Sequence, residues 1–258
     1  MDKIIDENFL ITLLLSYFRV TTFLFMFPFF GSNYIPLNVR LFLTFSIAFA
    51  IISFIEIKPI EVKTFTEFIL HAISESLFGF TAGFILRLIL DALLIAGEII
   101  ALHTGLGFLQ MFIPGQPQMS LLAGFFFLYG TLIFLAMGGA EVIILSLGES
   151  FINLPIGSFN LFSLDPEVFL NFFYESFNLG VKVSLPVFLS ALILNLILAV
   201  VNRFIPQMNV FMVGLPLQIL VGLTVLLIAL PIMTVTISDH FLDYFEILVS
   251  FIRELKKS

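Results

Sequence analysis

The chain of 258 residues is 60% hydrophobic and only 11% charged, and its mean hydropathy is +1.16. Soluble domains are roughly 45–50% apolar, so this composition excludes a water-soluble globular protein. With 35 Phe, 11 Lys plus Arg and 18 Asp plus Glu, the chain has too few polar residues to cover a folded body in water. We predict an all-α integral membrane protein with irregular, broken helices and hairpins.

The formal net charge of -7, with few and scattered basic residues, argues against binding to nucleic acid. Cysteine is absent, which excludes disulfides, thiolate metal sites and cysteine nucleophiles. His71 and Glu75 are four residues apart, but one such pair is weak support for a metal site. We therefore predict no metal, no cofactor and no catalytic residue. The acidic N-terminus lacks the basic region of a signal peptide, so we expect the first apolar run to be retained.

Apolar segments suggest six crossings, at about 20 helical residues for each. They occupy about 9–30, 41–57, 68–110, 120–147, 185–201 and 208–237. The third run, of about 43 residues, is too long for one crossing unless it is a hairpin or projects beyond the bilayer.

Two sequence signals predict helix starts. Thr64 and Glu67 have the spacing of a capping box, which predicts a long helix from about residue 65. The run Ser163-Leu164-Asp165-Pro166-Glu167 combines a cap residue, a proline and an acid, which predicts another helix.

Two helical stretches are amphipathic. The predicted helix 167–184 places one polar group of residues within about 60° and turns its phenylalanines elsewhere. The polar group is Asn171, Glu175, Asn178 and Lys182, and the phenylalanines are Phe169, Phe172, Phe173 and Phe177. The stretch 241–257 also has two faces, which is typical of an interfacial or partner-docking helix. Its apolar face holds Phe241, Phe245, Leu248, Val249 and Ile252, and its polar face holds Asp243, Glu246, Ser250 and Arg253.

Charged residues also occur within or beside the apolar runs, where each would cost about 2.5–3.5 kcal/mol at the bilayer centre. They are Arg19, Glu75, Arg87, Asp91, Glu98, Glu141, Glu175 and Lys182. We expect these side chains to face partner helices, a wet cavity or space outside the hydrocarbon.

Arg87, Asp91 and Glu98 form an intramembrane polar stripe, because they fall within about 40° of each other on a helix. The stripe is consistent with a buried ion pair that fixes helix register, with a proton or ion relay, or with a water-facing channel wall. Gly79 and Gly83 have the small-xxx-small spacing that permits close helix approach.

Two breaks interrupt the apolar pattern. Residues 105–119 carry no charge and combine Phe, Met, Gly and Pro, so we predict a non-helical segment that is buried in protein or borders an aqueous cavity. Its composition suits a re-entrant or interfacial loop, and also an adaptable lining that closes around polypeptide. Residues 202–207 read as a hairpin turn, followed by Gly214 and Pro216.

Several short motifs in this order resemble the FliR family of the type III secretion export gate, which includes injectisome counterparts. They are Gly97-Glu98-Ile99-Ile100, Gly105-Leu106-Gly107-Phe108, Leu154-Pro155-Ile156-Gly157, Asn202-Arg203, Pro206-Gln207, Phe211, Gly214 and Pro216. The resemblance covers nearly the whole chain. Each motif alone is weak, but the ordered set is specific.

The resemblance implies a subunit of an export pore in the bacterial inner membrane, at the flagellar basal body. Implied partners are FliP-like and FliQ-like membrane subunits, an FlhB-like entrance protein, membrane lipid and unfolded exported polypeptide as cargo. It divides the chain into a FliP-like part, 1–164, and a FliQ-like hairpin with a C-terminal amphipathic helix, 165–258.

The resemblance also implies two sites. The pore plug corresponds to Phe108, Leu109, Gln110, Met111, Phe112, Ile113, Pro114, Gly115, Gln116, Pro117, Gln118 and Met119. The hairpin turn near the cytoplasmic entrance corresponds to Asn202, Arg203, Pro206 and Gln207.

Two other functional classes compete with a protein-export gate. A proton- or ion-coupled small-solute transporter would use the polar stripe as a relay, but the sequence lacks an internal inverted repeat. An intramembrane enzyme is poorly supported, because HExxH, GxSxG and GxxxxGK[ST] are absent from the sequence.

Overall fold

The computed structural model describes residues 7–27, 30, 35–55, 57, 59–110, 119–160, 166–206 and 210–254. All regular secondary structure in these ranges is helical, which confirms the all-α prediction. The helices are α1 (Glu7–Met26), α2 (Leu37–Phe54), α3 (Phe65–His103), α4 (Gly107–Gln110), α5 (Leu121–Ala136), α6 (Gly139–Asn153), α7 (Pro166–Phe204) and α8 (Val210–Glu254).

The protein is an integral membrane protein. Helices α1, α2, α7 and α8 are each long and apolar enough to cross a membrane, and α5 with α6 qualifies only as a bent pair. The described helices therefore offer four or five crossings instead of the six apolar segments counted in the sequence. Helix α3, which contains the long third run, is not among the candidate spans.

Helices α7 and α8 are longer than their sequence patterns predict. The start of α7 at Pro166 is confirmed, but its predicted end at 184 is wrong, because the helix continues through Pro186 to Phe204. Helix α8 likewise continues through Pro216 and Pro231 into the stretch predicted as a separate C-terminal helix. Proline is tolerated inside apolar membrane helices, where neighbouring groups can satisfy the freed backbone.

The chain forms two compact units that interleave along the sequence. The first contains 1–88, 139–172 and 244–258, and the second contains 89–138 and 173–243. The family-based division after residue 164 stays a prediction.

The first unit is built around a buried ion pair between α1 and α3. The side chains of Arg19 and Glu75 are both fully buried. Nε of Arg19 donates to Oε2 of Glu75, and Nη2 donates to Oε1 at 3.0 Å. Nη1 donates to the carbonyl oxygens of Ser150 at 3.0 Å and Leu154 at 3.2 Å. The guanidinium thereby joins α1 and α3 to the end of α6.

Glu75 also fixes the turn that follows α6. Its Oε1 accepts a hydrogen bond from the backbone N–H of Gly157 at 2.7 Å. Gly157 has φ +79, a left-handed conformation that favours glycine, and the His71 ring fills the space that a Cβ at 157 would need. The Leu154-Pro155-Ile156-Gly157 motif therefore supplies backbone groups that hydrogen-bond to both members of the buried ion pair.

The predicted close approach at Gly79 and Gly83 is confirmed. A Cβ at Gly79 would overlap the backbone oxygen of Arg19, and one at Gly83 would overlap the backbone oxygen of Phe23. The two glycines therefore let the backbones of α1 and α3 touch on the helices that carry Arg19 and Glu75.

The predicted capping box at the start of α3 is also confirmed. The N–H of Glu67 donates to Oγ1 of Thr64 at 3.3 Å, and the N–H of Thr64 donates to Oε2 of Glu67 at 3.3 Å. The N–H of Lys63 donates to the same carboxylate oxygen at 2.9 Å. The Lys63 bond is the main cause that lowers the pKa of Glu67 below its usual value.

In the second unit, parts of α7 and α8 form an antiparallel hairpin with polar contacts along its length. Nε2 of Gln218 donates to Oδ1 of Asn195 at 2.6 Å near the turn. Farther away, Nζ of Lys182 lies 3.2 Å from Nε2 of His240. In this chain, polar pairs as well as apolar packing therefore set the register of the hairpin.

The two amphipathic predictions have different outcomes. In 167–184, Asn171 and Lys182 are exposed as predicted, but Phe173 and Phe177 are exposed too. In 241–252 the two faces are distinct, since Phe241, Phe245, Leu248 and Ile252 are buried, Val249 is half-buried and the polar residues that the structure describes are exposed. Its interpretation as an interfacial or partner-docking helix stays a prediction.

We expect Glu75→Gln to destabilise the protein strongly, because it removes the charge that balances a fully buried Arg19. Breaking one partner of a buried pair costs about 3–5 kcal/mol. Thermal unfolding in detergent measures the effect. Glu141→Gln, at an exposed carboxylate on α6, is the matched control and should change the unfolding temperature little; equal shifts would contradict the role assigned to the pair.

Candidate gating segment and its two stems

The segment between α3 and α5 begins at a sharply terminated helix end. The N–H of Thr104 donates to the Ile100 oxygen at 2.9 Å, and its Oγ1 donates to the Ala101 oxygen at 3.2 Å. Gly105 then has φ +76, the left-handed conformation that commonly ends a helix. We call residues 104–107 the N-terminal stem.

The N-terminal stem packs against α8 within the second unit. A Cβ at Gly222 would overlap the side chain of Thr104, so the helix backbone lies directly against this residue. A Cβ at Gly105 would lie 3.5 Å from Oε1 of Gln218, the residue that is hydrogen-bonded to Asn195. The departure point of the segment is thus fixed against the α7–α8 hairpin.

The other end of the segment is anchored by Ser120, which begins α5. Its Oγ accepts a hydrogen bond from the N–H of Ala123 at 3.0 Å, a standard N-cap. The backbone N–H of Ser120 donates to Oε1 of Glu98 on α3 at 2.8 Å. We call residues 119–123 the C-terminal stem.

Glycine allows the C-terminal stem to lie directly on α3. A Cβ at Gly97 would overlap the backbone of Ala123, so the two helices touch without intervening side chains. Glu98 and Thr104 are about 9 Å apart along α3, at about 1.5 Å per residue. The segment therefore leaves and rejoins the structure at the same end of one helix.

The predicted plug residues lie between these stems. Residues 107–110 form the short helix α4, which corrects the prediction that the whole segment is non-helical. The backbone oxygen of Gly105 accepts a hydrogen bond from the N–H of Phe108 at 3.3 Å, at the start of this short helix. Phe108 and Met119 are 47% and 43% exposed. Residues 111–118 lie outside the described part of the chain, and the plug assignment stays a prediction.

Of the three residues of the predicted polar stripe, Glu98 has a contact on another helix. Glu98 contacts the backbone of Ser120, a contact that the sequence did not predict. Arg87 and Asp91 are half-buried, and the roles predicted for the stripe stay predictions. No local spacing indicates the bond between residues 98 and 120, because it depends on the path of the chain between α3 and α5.

Of the residues predicted to form a hairpin turn at 202–207, Asn202 and Arg203 lie in the last turn of α7, and residues 205 and 206 are non-helical; the turn assignment stays a prediction. Helix α7 ends at Phe204 and α8 begins at Val210, and Asn202, Arg203 and Pro206 are exposed. Gln207 lies outside the described residues. The location of this turn near a cytoplasmic entrance stays a prediction.

This all-α membrane architecture belongs to a class of bacterial export proteins. The model of the family described as "Bacterial export proteins, family 1" matches residues 10–244. The chain belongs to this family.

Three relatives illustrate the similarity. The chain is 66% identical to the flagellar biosynthetic protein FliR of Aquifex aeolicus (strain VF5), over 99% of both chains. It is 30% identical to the FliR of Escherichia coli (strain K12), over 88% of this chain and 87% of that one. The FliR of Bacillus subtilis (strain 168) is also 30% identical, over 88% of this chain and 89% of the relative. The resemblance to FliR proteins drawn from the motifs is confirmed.

We expect Gly105→Val to destabilise the N-terminal stem, because a β-branched residue in a left-handed conformation costs about 1–2 kcal/mol. Gly107→Ala is the control, since Gly107 does not have positive φ and a Cβ there would make only ordinary contacts at 3.5 Å. Thermal unfolding of the purified proteins should show a clear loss for the first variant and little change for the second. The reverse order would contradict the assigned stem geometry.

Proposed function

We propose that this chain is a structural and gating subunit of the flagellar type III protein export gate. Membership of a bacterial export family and high identity to a flagellar biosynthetic protein support a role in flagellar export. The proposed location is the bacterial inner membrane at the flagellar basal body. The proposed partners are FliP-like and FliQ-like membrane subunits and an FlhB-like entrance protein, with unfolded polypeptide as cargo.

The observation that carries the gating role is the combination of fixed stems and an uncharged intervening segment. Both stems are attached at the end of α3, through Gly105 and Ser120. Between them, residues 108–119 contain no charge. Apolar and amide side chains can seal a pore by packing, and Met and Phe adapt to variable surfaces. Movement of this segment then needs no change in the helices that carry it.

The proposed mechanism is steric and requires no chemistry in this chain. The segment obstructs the pore at rest and moves aside when a polypeptide enters, and other components supply the energy. The contact of Glu98 with a backbone N–H favours a positioning role for this carboxylate over the proton relay of a solute transporter.

Deletion of residues 110–117 tests the gating role. We expect the assembled export complex to leak ions and small molecules through resting pores, because the seal is gone while both stems remain. Leakage is measured per assembled complex in vesicles, after co-purification has shown that the partner subunits are still bound.

Replacement of residues 110–117 by a Gly/Ser segment of equal length is the matched variant. It restores chain length without the apolar side chains, so it should also leak if packing provides the seal. Unchanged leakage after the deletion would contradict the plug assignment.

A further inference from the structure

Glu98 is a charged residue in an apolar helix, and its side chain binds a backbone N–H of another helix. It lies on α3 beside Gly97, with an exposed side chain. Its Oε1 accepts the N–H of Ser120 at 2.8 Å. Hydrogen bonds to an ionised acceptor are roughly twice as strong as neutral ones, so this contact can define where the chain after residue 119 meets α3.

The N–H that Glu98 binds has little access to water. Ser120 is 3% exposed, and a buried N–H without a partner is unfavourable. The other polar groups of Ser120 serve α5 itself, since Oγ caps the N–H of Ala123 and the backbone oxygen accepts from Gly124 at 2.9 Å. The N–H is therefore the group of Ser120 that connects the start of α5 to another helix.

Gly97, the residue before Glu98, brings α3 and α5 into direct contact beside the hydrogen bond between Glu98 and Ser120. Gly97 lies against the backbone of Ala123 so closely that a Cβ would overlap it. With the helix surfaces in contact, a small axial shift of α5 along α3 would separate Ser120 from Glu98. The glycine contact alone does not fix where α5 lies along α3. The hydrogen bond to the Glu98 carboxylate favours one axial position.

We propose that Glu98 is a positioning residue whose carboxylate holds the backbone N–H of Ser120 and so keeps the C-terminal stem in the resting position. The inference rests on the proposed gating function and names the group that stabilises its resting state. Loss of the bond shifts the stem without removing any part of the segment that it carries.

Four variants separate the hydrogen bond from other effects. Glu98→Ala removes the acceptor, and Glu98→Gln keeps a weaker, neutral one. Ser120→Pro removes the donor, and its backbone suits the change because Ser120 has φ -67 and proline requires a φ near -65°. Ser120→Ala keeps the N–H and loses the hydroxyl cap. Glu246→Gln, at an exposed carboxylate of α8, is the general control.

The measurement is resting ion leakage per assembled complex, with partner co-purification measured on the same samples. We expect Glu98→Ala and Ser120→Pro to raise leakage roughly tenfold or more, the range expected for a lost charge-assisted hydrogen bond. Glu98→Gln and Ser120→Ala should give smaller increases. The double variant Glu98→Ala/Ser120→Pro should leak no more than the worse single variant, because both remove the same bond.

Three results would overturn the proposal. Additive leakage in the double variant would show that the two residues act independently. Lost assembly with normal leakage in the remaining complexes would show a purely structural role. Reduced export through a tight pore would favour a relay role. If deletion of 110–117 leaks while Glu98→Ala stays tight, the gating function stands and the positioning role fails; if neither leaks, the gating function itself fails.

Discussion

A charge or a backbone N–H inside an apolar protein has no water to bind, and this constraint organises both units of the chain. In the first unit it is met by Arg19 and Glu75, which satisfy each other and also bind the backbone of Ser150, Leu154 and Gly157. A single buried pair therefore determines how α1, α3 and α6 meet. Neither charge would be tolerated without the other.

The same constraint explains the two stems in the second unit. An irregular segment in an apolar protein needs partners for its backbone where it leaves and rejoins the helices. Gly105 ends α3 in a left-handed conformation, and Glu98 supplies the acceptor for the N–H of Ser120. Fixed ends of this kind are compatible with movement between them. Under the proposed function, the rigid α3 carries both ends of the seal.

The sequence predicted the features that depend on neighbours along the chain. The Thr64 and Glu67 capping box, the close approach at Gly79 and Gly83 and the helix start at Pro166 are all local signals, and the structure confirms them. The ordered motifs also identified the family. Helix ends were less predictable, because Pro186 interrupts a pattern in the sequence without interrupting the helix.

Contacts between distant residues were not predictable from one sequence. The sequence marks Arg19 and Glu75 as unfavourable isolated charges, but no spacing pairs residues that lie on different helices. Helical periodicity groups Glu98 with Arg87 and Asp91 on one face, whereas the structure shows its contact with Ser120. Which residues meet depends on the tertiary path of α3, α5 and α6, and helical periodicity carries no information about that path.

Under the proposed function, residues 108–119 lie in the path of exported polypeptide. Since the chain contains no cysteine, Phe112→Cys introduces a unique thiol within this segment. Cross-linking from that thiol to cargo stalled in the complete export apparatus tests the claim directly. We expect a cross-link to stalled cargo that disappears when no cargo is engaged. The contrary result is efficient stalling of cargo without any cross-link from this position, while only lipid-soluble reagents modify the thiol. It would show that the segment faces lipid and not the path of the polypeptide.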